Sequence, residues 1–196
     1  MLLALLIAGE GRPLFYWGAR PALVTVEAAT AAAPTDAQVT ELHAAADPRG
    51  LVVRFSFDRE VRSAMQLPDG TPVSGRLRAV LYLDTDDDRG TGLSQGPLDP
   101  RTGAERRLEI GVVSVGEDPE ENRKASAVLT ATLSSLDREG RRKTLWRGDA
   151  EGSPNDVSAH GEWVEVRLPP TIVEPNPPIR MVIAAGDRSF EGRLLR

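Results

Sequence analysis

Cysteine is absent from the 196-residue chain, and there are only two histidines. The first absence excludes disulfides, thiolate metal sites and a cysteine nucleophile, and the second argues against a histidine-rich zinc centre. Neither decides the compartment. Aromatic residues are 5 % of the chain, so few rings are on hand for a ligand platform. Positive charge is not in excess either. Lys and Arg total 24 against 29 Asp and Glu, a net charge of −5. This lacks the electrostatic footprint of a general nucleic-acid binder. No phosphate-binding glycine loop, internal repeat or heptad occurs. What is present is 40 % hydrophobic and 27 % charged residues, the composition of one soluble globular domain.

Residues 1–8 form the leading apolar run, too short for the roughly 20 residues that cross a bilayer. The run suits the apolar core of a signal peptide, although no Lys or Arg precedes it. Phe15-Tyr16-Trp17 follows, flanked by Arg12 and Arg20. Aromatic and basic residues after an apolar stretch favour a membrane–water interface. The alternative is a first strand tucked against the domain. The expectation is export to the periplasm, cell surface or medium, with N-terminal membrane association. Residues 28–34 have small-residue linker composition. Residues 1–34 are therefore read as apolar segment plus linker, and 35–196 as the globular unit.

The dominant period is two, which places alternate side chains on opposite faces of a strand. Leu51, Val53, Phe55 and Phe57 give the cleanest example. Leu77, Ala79, Leu81 and Leu83 form a second strand, and Leu108, Ile110 and Val112 a third. Ala125 to Leu133, Val164 to Leu168, Ile179 to Ile183 and Phe190 to Leu195 continue the pattern. Turn signals divide them: Asp47-Pro48-Arg49-Gly50, Asp69-Gly70, 87–92, Glu139-Gly140 and Gly186-Asp187. Such a series predicts an all-β antiparallel sandwich, jelly-roll or immunoglobulin-like, of about eight or nine strands. Residues 35–47 fit either a capped helix, with Thr35 and Gln38 as the capping pair, or an edge strand. Alanine favours helix, the fold context favours strand, and strand is preferred.

The sharpest chemical feature is Leu81-Tyr82-Leu83-Asp84-Thr85-Asp86-Asp87-Asp88-Arg89-Gly90-Thr91-Gly92. A strand runs into carboxylates at alternate positions, and these repel one another unless water or a cation screens them. Calcium takes six to eight oxygen ligands, and a turn with carboxylates at i, i+2 and i+4 can wrap one ion. The loop is not an EF-hand: counting from Asp84, the sixth residue is Arg89 and the twelfth Gln95. Another segment must complete the site. Pairing of 77–83 with 107–113 would bring Glu105 to the start of the loop. Asp84, Asp86, Asp88 and Glu105 are the candidate ligands, with calcium favoured because all are oxygen donors. The alternative is a solvated acidic turn.

The order Leu83-Asp84-Thr85-Asp86, then Thr91-Gly92, then Gly103-Ala104-Glu105-Arg106-Arg107-Leu108 resembles the DOMON-like domains and the similar family-nine carbohydrate-binding modules. Arg106 departs from the aromatic residue that often follows Gly-Ala-Glu there. The resemblance implies an exported β-sandwich. Its relatives bind sugars, haem or other ligands, or have no known ligand.

Tyr82, Trp146 and Trp163 are the candidate ring platforms for a sugar. Met65, Met181, His43 and His160 are the conceivable haem ligands. Ser158 with His160 and Asp156 or Asp149 is too local in sequence for a hydrolytic triad. Residues 148–161 read as a polar loop, 138–143 as a solvated basic hairpin tip or an anion-contact patch, and 117–121 as an acidic turn. The expected function is a non-catalytic extracytoplasmic binding or accessory module with a structural calcium. Its partner would be a carbohydrate or another extracytoplasmic protein, not nucleic acid. The alternatives are a ligand-free interaction domain and a metal-dependent hydrolase.

Overall fold

A computed structural model describes residues 11–26, 36–67, 71–73, 75–96, 98–115, 126–173, 178–185 and 188–195. In chain order the strands are β1 (Val24–Thr25), β2 (Val39–Asp47), β3 (Gly50–Phe57), β4 (Arg78–Asp84) and β5 (Arg106–Val115). They continue with β6 (Ser126–Leu136), β7 (Arg142–Asp149), β8 (Val157–His160), β9 (Trp163–Leu168), β10 (Ile179–Ala185) and β11 (Arg188–Leu194). One short helix, α1 (Val61–Met65), follows β3 and buries Val61 and Ala64.

The strands make two antiparallel sheets, ordered β1-β2-β3-β9-β8 and β11-β10-β4-β5-β6-β7. Period-two alternation explains why they stack. Leu51, Val53, Phe55 and Phe57 of β3 and Val164, Val166 and Leu168 of β9 point to one face. They meet Leu81 and Leu83 of β4, Leu108 and Ile110 of β5, Leu129 and Leu133 of β6, and Met181 and Ile183 of β10. Burying each of these side chains is worth roughly 1.5–3 kcal/mol. Truncating Phe55 to Ala would cost about 3–5 kcal/mol. The fold is the expected sandwich.

Residues 39–47 form a strand despite their alanines. Leu42 and Ala45 are fully buried, and the ladder to β3 supplies hydrogen bonds that local helix propensity cannot outweigh. Among the described residues, eleven strands replace the expected eight or nine. Two of the additions are sheet edges that the sequence pattern hid. β7 spans the basic hairpin tip and the start of the polar loop, and its sequence shows no alternation because Arg142, Lys143, Thr144, Leu145 and Arg147 are all exposed. Charged side chains on an edge strand block pairing with other chains, so its apolar signal is weak. β8 has only four residues, inside the stretch read as a polar loop.

The third addition, β1, corrects the N-terminal boundary. Val24 and Thr25 pair with β2, and residues 11–20 lie across the outer face of the five-stranded sheet. Residues 11–26 are thus part of the packed structure and not a linker. Residues 1–8, 28–34 and 117–121 lie outside the described residues. Among the described residues, no helix is long and apolar enough to cross a membrane.

Each sheet therefore has its outer face covered by a non-strand segment. The N-terminal strap covers one. The loop 85–105, between β4 and β5, covers the other.

Candidate metal centre

Alternation in β4 sends Ala79, Leu81 and Leu83 into the sandwich and Tyr82 and Asp84 to the outer face. Asp84 is nevertheless only 1 % exposed, because the 85–105 loop folds back over it. Opposite it on β10 stands Arg180, also 1 % exposed. Its Nε and Nη2 donate to Asp84 Oδ2 at 2.9 and 2.7 Å. The same guanidinium donates to the carbonyls of Pro100 and Thr102, so Arg180 ties the loop to the sheet.

Two glycines permit the fold-back. Gly92 and Gly103 have φ of +54° and +94°, which L side chains rarely adopt. A Cβ at Gly92 would lie 2.5 Å from the Ala104 carbonyl oxygen. With these turns made, the Leu93 amide donates to Ala104 O and the Gly103 amide to Leu93 O. The Glu105 amide then donates to Leu83 O at 3.0 Å, as the start of the β4–β5 ladder.

This antiparallel return brings Glu105 to the acidic turn, as the strand pairing predicts. Glu105 Oε2 accepts from the Thr85 amide at 2.9 Å, and Oε1 from Thr91 Oγ1 at 2.7 Å. Asp86 Oδ1 accepts from the Asp88 amide at 3.0 Å. One carboxylate oxygen each from Asp84, Asp86 and Glu105 lies within 4.8 Å of the other two. Asp84 Oδ1 is buried and accepts no hydrogen bond. Thr91 Oγ1 sits 2.7–3.2 Å from oxygens of Asp86, Glu105 and the Asp88 carbonyl, yet has one proton to give.

Asp88 does not belong to this group. Its side chain is exposed, and Oδ1 accepts from the Gly90 amide at 2.7 Å. The i, i+2, i+4 spacing fails because the turn closes on Asp86, through the Asp88 amide, before it reaches a third carboxylate. Asp87 pairs instead with Arg193 at 3.2 Å, from a φ of +55°.

The electrostatics are unbalanced. Three carboxylates, of which Asp84 is buried, Glu105 half-buried and Asp86 exposed, face one guanidinium, leaving two formal negative charges at the head of the loop. Burial pushes Asp84 above the ordinary carboxylate range, against the opposing pull of Arg180 and with Asp86 adding repulsion. Burial also pushes Glu105 up, outweighing the hydrogen bonds from Thr91 and Thr85, and both aspartates add to the rise. Asp86 goes down: desolvation opposes this, but the hydrogen bonds from the Asp88 amide and the Thr91 hydroxyl prevail, and the neighbouring Asp84 and Glu105, whose values rise, take up a proton in preference to it. Asp84 Oδ1, the Asp86 and Glu105 carboxylates, Thr91 Oγ1 and the Asp88 carbonyl form an all-oxygen donor set. That is the chemistry of a hard divalent cation, with water completing its shell.

The sequence missed Arg180 and the bridging hydroxyls. Thr91 stood beside Gly92 in the motif but carried no ligand signal, and nothing local marks Arg180. The basic hairpin tip is more than solvated: Arg138 Nη2 donates to the Gly90 carbonyl at 2.9 Å, clasping the acidic loop from β6–β7.

The three candidate ring platforms are not brought together. Tyr82 lies on the six-stranded sheet between Arg101 and Arg107, beneath Leu93, Ala104 and Leu136. Trp146 packs against the main core from β7. Trp163 lies on the other sheet, with the Arg54 guanidinium 4.9 Å from its ring centroid and His160 at 5.3 Å. Nor do the conceivable haem ligands converge. Met181 is fully buried between the sheets, and His43 lies on an outer face against Trp17. Ser158 Oγ donates to the Arg12 carbonyl beneath the strap, so it is no nucleophile of a triad.

Compared with known proteins, the chain matches no family model, no curated protein and no solved structure.

Proposed function

We propose that the protein is a non-catalytic, extracytoplasmic binding or accessory module whose acidic loop is fastened by a structural calcium ion held by Asp84, Asp86 and Glu105. The observation that carries this reading is the buried Asp84 Oδ1, which accepts no hydrogen bond beside two further carboxylates. A buried acceptor left unpaired costs about 1–3 kcal/mol, and more if charged. An ion at this point would satisfy it and neutralise the two excess charges. A structural role is supported by how the ligands are held. Asp84 is fixed by Arg180 and Glu105 by Thr85 and Thr91, so the group joins the end of β4, the loop and the start of β5. Export, and kinship with DOMON-like and family-nine carbohydrate-binding modules, rest on the leading apolar run and the Asp-Thr-Asp, Thr-Gly, Gly-Ala-Glu order.

Thermal unfolding in millimolar calcium and in chelator tests the ion. A higher melting temperature in calcium, lost in Glu105→Gln, is the expected result. Equal melting temperatures would remove the metal from the proposal.

A further inference from the structure

The second covered face, on the five-stranded sheet, carries different chemistry. A groove of about 940 Å³ runs between the N-terminal strap and β9. Its lining includes Arg12, Arg49 and Arg54 together with Phe15, Tyr16 and Trp163. Two carboxylates also reach it, but both are engaged. Glu165 is fully buried and accepts from the Trp17 indole and from the Leu14 amide at 2.5 Å. Asp47 accepts from Arg167 at 2.7 Å.

Arg167 offsets Asp47 and Arg54 faces Glu165 across the β3–β9 ladder, which leaves Arg12 and Arg49 as the excess positive charge of the groove. Among the described residues, the Arg54 side chain makes no hydrogen bond and no ion pair, and its Nε is buried. It stands opposite Glu165 in the β3–β9 register without an ion pair to it, and its guanidinium lies 4.9 Å from the Trp163 ring centroid. Arg49 is 73 % exposed and reaches Asp47 only at 3.9 Å. Arg12 is exposed on the strap. A chain with a net charge of −5 thus has a cationic groove on this face. A guanidinium stacked on an aromatic ring is held in place, with its fork ready for a carboxylate.

We infer that this groove binds an acidic saccharide, with a uronate carboxylate on Arg54 and the sugar ring against the exposed Tyr16 ring of the strap. Tyr16 is 89 % exposed. The open shape favours a sugar over a wholly apolar acid, because one face of the ligand stays in water and its hydroxyls can remain hydrated. The site is independent of the acidic cluster, which lies on the outer face of the other sheet.

Calorimetric titration of the full chain tests it, using a tetrasaccharide of alternating glucuronate and N-acetylglucosamine. The carboxyl-reduced neutral tetrasaccharide and a thymidine tetranucleotide serve as controls. The expected result is binding of the acidic sugar that weakens with salt and falls about ten- to hundredfold in Arg54→Gln. The neutral sugar should not bind measurably. Arg12→Gln with Arg49→Gln, both at exposed positions, should weaken binding in the same direction and serves if the Arg54 variant does not fold. Titrations run in calcium and in chelator should agree, so failure of the metal reading leaves this one standing. No binding, equal affinity for the neutral sugar, tighter binding of the tetranucleotide, or binding unchanged in these variants would overturn the proposal.

Discussion

Arg180 and Asp84 stand directly opposite each other on β10 and β4, both buried on a sheet face that would otherwise meet water. The pair is bidentate toward one oxygen, Oδ2, and leaves Oδ1 for the acidic cluster. Arg180→Met should therefore destabilise the chain by about 3–5 kcal/mol, because it strands a buried carboxylate. Arg180→Met combined with Asp84→Leu should recover a good part of the loss, as read by denaturant unfolding. A double variant no more stable than the single one would mean that the pair acts mainly through the Pro100 and Thr102 carbonyls.

Calcium at 100 times its dissociation constant should add about 2.7 kcal/mol of stability. For a chain of this size that is a rise of roughly 5–10 °C in melting temperature. Asp86→Asn and Glu105→Gln should abolish most of the rise, and Asp88→Asn should keep it. A response lost equally in Asp88→Asn would show that the geometry of the group is not what binds the ion.

The fold-back of the loop depends on Gly103. A Cβ there would lie 2.8 Å from Arg89 Cα and 2.9 Å from Arg180 Nη2, at a φ of +94°. Gly103→Ala should lower stability by about 1–3 kcal/mol and weaken the calcium response with it. Calcium titration of the variant, followed by melting temperature, measures both effects.

The strap is fastened by polar contacts to a buried acid. Trp17→Phe keeps a ring but removes the indole N–H that Glu165 accepts from. The loss should be about 1–3 kcal/mol. Hydrogen exchange at the Gly11 and Leu14 amides should quicken, since these donate to Ala159 O and to Glu165. Unchanged exchange would mean that the strap is held elsewhere.

Asp47 reports on acid sensitivity. Burial opposes its ionisation, but hydrogen bonds from Arg167 and the Arg49 amide outweigh that, so its pKa lies below the ordinary value of 3.8. A lowered folded-state pKa gives stability that is present above the ordinary value and is lost as pH falls through the folded one. Between about pH 5 and pH 2 the wild-type chain should lose more melting temperature than Asp47→Asn. Parallel pH profiles would show that the Asp47–Arg167 pair contributes nothing to the difference.

The sequence alone determined the sandwich, because strand alternation is local: Leu51, Val53, Phe55 and Phe57 must share a face in any extended chain. It also points Glu105 back to the acidic turn once 77–83 is taken to pair with 107–113, a neighbour relation that the ladder of the folded sheet supplies. Tertiary structure decided the rest. Whether Asp86 or Asp88 joins the group depends on where the turn closes. The burial of Asp84 depends on Arg180, which arrives from 96 residues away. Glu165 and Arg54 share one face through the β3–β9 register, and Trp17 joins them only because the strap crosses that face. These are contacts between distant segments, and the hydrophobic period of a single strand carries no record of what lies over its outer face.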